Sequence, residues 1–151
     1  MKILLTAIAP RRTRSKSEAA ERLLADYITR SSRYVSCEAQ TFDDEADFLD
    51  WLDRQAGRMP AVAILLDSRG QQFSSEEFAQ RLGDLRDGAT QRLVIAVGPA
   101  DGWSATALQR ASLLLSLGKI TLPHQLARVI VAEQVYRALT ILAGHPYHSG
   151  H

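Results

Sequence analysis

Two short apolar runs, residues 61–66 and the stretch after Arg92 that ends at Val97, most narrow what this chain can fold into. Five or six such residues without polar alternation fit a strand covered on both faces, and strands of that kind occur in parallel sheets with helices above and below. The rest of the chain alternates between further short runs and longer stretches of helical period, the signature of an α/β domain. Strands are expected at 2–9, 34–40, 61–66, 92–97 and 119–122, with the third and fourth at the centre of the sheet. Helices are expected at 16–31, 44–56, 75–88, 104–117 and 123–143.

Helix starts are marked. Ser15 to Glu18 and Ser74 to Glu77 both read S-x-x-E, in which the serine hydroxyl and the glutamate carboxylate satisfy backbone N–H groups left unpaired at a helix start. Pro123 suits the first turn of the last helix. In that helix Glu133 and Arg137 stand four apart, in the favourable order for an intrahelical ion pair. No repeat, low-complexity tract or linker divides the chain, so residues 1–151 form one domain.

Composition removes several classes of function. No apolar run approaches the roughly 20 residues that span a bilayer, and the first ten residues lack the pattern of a signal peptide, so a cytoplasmic protein with no membrane partner is expected. One cysteine, Cys37, excludes an intramolecular disulfide and a cysteine-ligated zinc site. The net charge of +1 hides regional balances of +5 over residues 1–34, −7 over 35–90 and +3 over 91–151. The basic ends could meet on one face, which permits a nucleic acid as partner.

In open α/β sheets ligands bind at the carboxyl ends of strands, which directs attention to the segments after Leu66, Val97 and Leu122. After Leu66 comes the polar turn Asp67-Ser68-Arg69-Gly70, and after Val97 comes Gly98-Pro99-Ala100-Asp101-Gly102-Trp103-Ser104. Neither is a dinucleotide fingerprint, and the phosphate loop G-x-x-x-x-G-K-[ST] is absent. Asp67 sits where a receiver domain carries its phospho-accepting aspartate. The acidic residues such a site needs after the first strand are replaced here by Pro10 and Arg11. The tail from Gly144 to His151 holds three histidines at intervals of three beside Tyr147; without an acidic partner in the segment, no metal site is expected.

Several segments together identify a family resemblance. Thr121-Leu122-Pro123-His124, then Arg128-Val129, then Ala132 to Ala138, and finally His145-Pro146-Tyr147-His148 stand in the order and spacing of the ribosomal RNA large subunit methyltransferase H family, of the SPOUT superfamily. The chain resembles that family over essentially its whole length. Two positions depart from it: Val97 stands where the family has the first of two glycines, and Ser149 where it has a basic residue. The resemblance implies an α/β fold, a mostly parallel sheet with helices on both faces and a C-terminal trefoil knot. It also implies a homodimer that uses S-adenosylmethionine to methylate N3 of a pseudouridine in helix 69 of the large-subunit rRNA, on assembled ribosomes and without a metal. Carried across by position, Leu66, Gly98, Gly118, Lys119, Ile120, Thr121, Leu122 and Pro123 would contact the cofactor, mostly through their main chain. The catalytic candidates are His124, Arg128, Arg137, His145, Tyr147 and His148, and the basic segment 11–16 would contact rRNA. Arg137 has a second reading as the mate of Glu133, and His124 one as a packing residue at the helix start. A SPOUT-like ribosome binder that has lost catalysis is the alternative function.

Overall fold

The computed structural model describes residues 1–12, 14, 17–55 and 59–149. Its elements run β1 (Lys2–Ile8), α1 (Glu18–Ser31), β2 (Ser36–Phe42), α2 (Glu45–Arg54), β3 (Val62–Gln71), α3 (Ser75–Asp87), β4 (Arg92–Val97), α4 (Ala105–Arg110), β5 (Leu113–Leu115) and α5 (His124–Leu142), then a 3₁₀ turn at Pro146–His148. The five strands form one parallel sheet in the order β2-β1-β4-β3-β5. β4 is thus the middle strand, with β1 and β3 beside it.

Side chains alternate along each central strand, as the period of two requires. Ile3, Leu5, Ala7, Ile64, Leu93, Ile95 and Val97 turn to one face, where α1, α3 and α5 cover them. Leu4, Ile8, Ala63, Leu65, Val94 and Ala96 turn to the other, under α2 and α4. An exposed leucine or isoleucine that becomes fully buried contributes about 1.5–3 kcal/mol, so the two layers stabilise the middle strands, and the buried Thr6 of β1 is satisfied by donating its hydroxyl to the Ile95 carbonyl at 3.3 Å. α5 lies between α1 and α3, with Ala127, Val131, Val135, Ala138 and Leu139 turned to the sheet.

Four expectations needed correction. The fifth strand is Leu113–Leu115, and residues 119–122 form a loop. The helix expected over 104–117 stops at Arg110, because Ser112 bonds across to Ala63 through both its main chain and its hydroxyl, which steers the three leucines that follow onto β3. Leucine favours helices, so its run carried the expectation too far. The cap of α1 is Ser17, whose hydroxyl accepts from the Ala20 amide, while Ser15 and Lys16 lie outside the described residues. Pro123 is the cap residue of α5, not its first helical residue, and the Ser74 cap of α3 is as expected. β3 runs on past Leu66 with a register irregularity: both Leu66 and Gln71 pair with Leu115. Among the described residues no helix is long and apolar enough to cross a membrane.

Candidate functional site

The loop between β5 and α5 builds one wall of a cavity of about 470 Å³. Ser116 shapes its start: the hydroxyl accepts from the Gly118 amide at 3.1 Å and donates to the Gly118 carbonyl at 3.2 Å. Gly118 has φ +122, a conformation that side chains oppose, so the tight turn needs glycine there. From Lys119 to Leu122 no main-chain hydrogen bond is made among the described residues, leaving polar groups of the loop available to a ligand. Phe73, Phe78 and Ile130 supply apolar surface opposite, and Ser75 and Gln134 supply polar groups.

Gln134 joins this wall to the tail. Its carbonyl accepts from the Ser75 hydroxyl at 2.8 Å, and its amide donates to Glu133 Oε2 at 2.9 Å. Glu133 Oε1 accepts from Arg137 at Nε (3.0 Å) and Nη2 (2.7 Å), and from the Tyr147 hydroxyl at 3.1 Å. Arg137 Nη1 donates to His148 Nδ1 at 2.9 Å, so the ring proton of His148 sits on Nε2, 2.7 Å from Glu76 Oε1. Since Ser75 and Glu76 are neighbours at the start of α3, the bonds close into a ring that has Ser75 and Gln134 in the cavity wall. The tail can reach it because Gly144, at φ +70, reverses the chain after α5. Tyr147 then stacks edge-on to Tyr136 at 4.7 Å and lies under the Arg137 guanidinium at 4.9 Å.

The environment sets the chemistry of these groups. Burial, then the bond to Glu133, pushes the Tyr147 phenol up to about 12, so it is a donor across the neutral range. His148 holds the exposed Glu76 carboxyl below its ordinary value. His145 caps the 3₁₀ turn, its Nδ1 accepting from the Tyr147 amide at 3.2 Å.

The structure divides the residues singled out in the sequence. Gly118, Lys119, Ile120 and Leu122 line the first cavity, whereas Arg137, Tyr147 and His148 do not line it and are linked to Gln134 in its wall through Glu133. Thr121 is exposed on the same loop. Leu66 and Gly98 meet under Trp103: its indole Nε1 donates to the Leu66 carbonyl at 2.8 Å, and a Cβ on Gly98 would stand 2.6 Å from the ring. Pro123, His124 and Arg128 line a second cavity, beyond the carboxyl ends of β1 and β2. There burial, and next the charge of Arg128, lower the pKa of His124, whose Nε2 is buried without a hydrogen-bond partner. Val97 points into the core and Ser149 bonds back to Pro146. His151 lies outside the described residues. Asp67 is occupied by Arg69, which donates to it from its backbone and guanidinium and holds it below its usual range. Among the described residues no group of three His, Cys, Asp or Glu is placed to hold a metal ion.

Sequence reading missed Glu76, Gln134 and the wider role of Glu133. Spacing gave the Glu133–Arg137 pair, but Glu76 is 72 positions from His148, and nothing local announces that contact.

Residues 1–148 match the family model described as a predicted SPOUT methyltransferase. The chain is 48% identical over 138 residues to the ribosomal RNA large subunit methyltransferase H of Koribacter versatilis, covering 91% of this chain and 94% of that one. Its match to the protein of the same name from Brucella anthropi is 53% identical over 88 residues, 58% of this chain and 55% of the other. The solved SpoU methyltransferase AviRb of Streptomyces viridochromogenes, in complex with the cofactor AdoMet, has a TM-score of 0.53 and 12% identity, a likeness of fold. That match covers 96% of this chain and 59% of AviRb.

Proposed function

Because this chain belongs to the SPOUT methyltransferase family, among the ribosomal RNA large subunit methyltransferase H proteins, we propose that it methylates N3 of a pseudouridine in helix 69 of the large-subunit rRNA on assembled ribosomes, using S-adenosylmethionine. The observation that carries the reading is the cavity that the β5–α5 loop forms with Ser75 and Gln134, two residues whose bonds run on through Glu133 to the tail. The cavity fits the cofactor in size, since small-molecule sites span about 300–1,000 Å³, and its apolar wall and unbonded main-chain groups suit an adenine face and edge. Gly118, Lys119, Ile120 and Leu122 would hold it and Thr121 and Pro123 complete the loop, whereas Leu66 and Gly98 meet at Trp103, away from the residues that line the cavity.

When bound, S-adenosylmethionine supplies an electrophilic methyl group, so the protein has only to align the base, exclude water and ease the loss of the N3 proton. Arg137 places positive charge beside the imide as that proton leaves. Tyr147 stays a phenol and fixes Glu133. In the docked tail Nδ1 of both His145 and His148 already accepts a bond, so these residues position the tail. His124 and Arg128 act on the RNA side. A second copy completes the assembly: Leu23, Ile120 and Leu126 are 47%, 83% and 49% exposed, apolar surface suited to a homodimer contact.

The test is transfer of labelled methyl to ribosomes that lack the helix 69 modification, followed by mapping of the labelled nucleoside. Label at N3 of the pseudouridine is expected. Ribosome binding without label would overturn catalysis in favour of a silent ribosome binder.

A further inference from the structure

The second cavity, of about 570 Å³, shares no lining residue with the first and opens where the strand order reverses. β1 and β4 are neighbours, but the chain leaves β1 for α1 on one face of the sheet and leaves β4 for α4 on the other. Loops that part to opposite faces leave a crevice at the carboxyl edge, the place where parallel sheets bind ligands. Ile8 and Ala9 from the end of β1, Ala100 and Pro123 give this crevice an apolar side.

Two arginines form the other side. Arg128, with its side chain only 15% exposed, donates from Nη1 to Glu21 at 3.0 Å and from Nη2 to Thr41 at 3.3 Å. Arg14 donates from Nε to the Ala9 carbonyl at 2.7 Å and from Nη2 to Asp43 at 3.0 Å. A guanidinium has five N–H groups, so among the described residues each arginine keeps several unspent beside an open cavity. Their carboxylate mates are well solvated, Glu21 being 55% and Asp43 44% exposed, and such pairs are weak enough for a phosphate to displace. α5 also starts at this cavity with no acidic residue in its first turn and no side-chain cap.

An apolar wall facing a guanidinium pair, in a space of this size, matches a flat base joined to a phosphate. We infer that the second cavity seats one phosphate-bearing nucleotide of the RNA substrate, so that the RNA is gripped away from the cofactor cavity of the same chain. The inference rests on the RNA methyltransferase reading above.

The test measures binding to large ribosomal subunits across a salt series, with S-adenosylmethionine binding by calorimetry as the control. The pair Arg14→Gln and Arg128→Gln should weaken RNA binding about tenfold or more and flatten the slope of log Kd against log salt by about 1–2. Glu21→Gln, which removes a competing carboxylate, should tighten RNA binding, an outcome no purely structural role for Arg128 gives. Cofactor affinity should not change in either variant. Unchanged RNA affinity and slope in the double variant would overturn the inference, as would a parallel loss of cofactor binding. Uridine 5′-monophosphate that binds in a way the double variant abolishes, while RNA affinity holds, would assign the cavity to a free nucleotide instead. Failure of the underlying reading is seen separately, in an unsubstituted protein that binds no large subunits.

Discussion

The Tyr147 hydroxyl donates to the same oxygen of Glu133 that receives two N–H groups of Arg137, so one carboxylate oxygen fixes both the tail and the cation beside it. Glu133→Ala should therefore do more damage than Tyr147→Phe. The first leaves Arg137 and Tyr147 without their acceptor and should lower methyl transfer by at least about tenfold, the range expected when a charged hydrogen-bonded network loses its anion. The second removes one bond worth about 1 kcal/mol and keeps the ring against Tyr136. Hydrogen exchange at residues 145–149, read beside kcat, checks both: equal effects from the two substitutions would contradict the shared role of Glu133.

Acid should release the tail from α3. The Glu76 carboxyl is held below its ordinary value of 4.5 by the bond from His148, so the contribution of its ionised form is present above that value and is lost as the pH falls through the lowered one. Protection of the tail amides should fall over that acidic window in the unsubstituted protein. In Glu76→Gln this step should be absent, because no carboxylate remains to titrate.

Gly70→Ala should loosen the cofactor loop from a distance. A Cβ there would lie 2.5 Å from the carbonyl carbon and oxygen of Leu114, which are backbone atoms and cannot turn aside. Overpacking of this kind costs about 1–3 kcal/mol. β5 would move, and with it Ser116, whose amide donates to the Gln71 carbonyl. A lowered Tm together with weaker S-adenosylmethionine binding is expected. A lowered Tm with cofactor affinity intact would separate β5 from the site.

Trp103→Phe keeps most of the packing against Phe48 and Gly98 and removes the indole donor to Leu66. The lost bond and the unpaired carbonyl should cost about 1–3 kcal/mol in chemical denaturation. A substitution without effect on stability would show that this carbonyl finds another donor.

How much of this was legible in the sequence depends on the reach of each interaction. The unbroken apolar run of β4, the Ser74 cap and the Glu133–Arg137 pair are set by neighbours a few positions apart, and all were read correctly. Leu113–Leu115 misled because three leucines suit a helix as well as a strand, and their choice was made by Ser112 bonding to Ala63, 49 positions earlier. The approach of Glu76 to His148 and of Glu21 to Arg128 depends on how α1 and α3 flank α5, and only the assembled layers bring them together. The family motifs pointed to His124 and Arg128 alongside Tyr147 and His148, but gave no sign that the first two line a cavity of their own while the other two join the network around Glu133.

The closed circuit from Ser75 through Gln134, Glu133, Arg137, His148 and Glu76 back to α3 has a thermodynamic corollary. Because Gln134 is at once a wall of the cavity and a member of the circuit, occupancy of the cavity and closure of the tail share one free energy. Whatever factor a bound molecule adds to tail closure, tail closure adds to its affinity, and the two must be equal. A molecule that fits the cavity yet leaves Gln134 undisturbed would bind without being felt at His148.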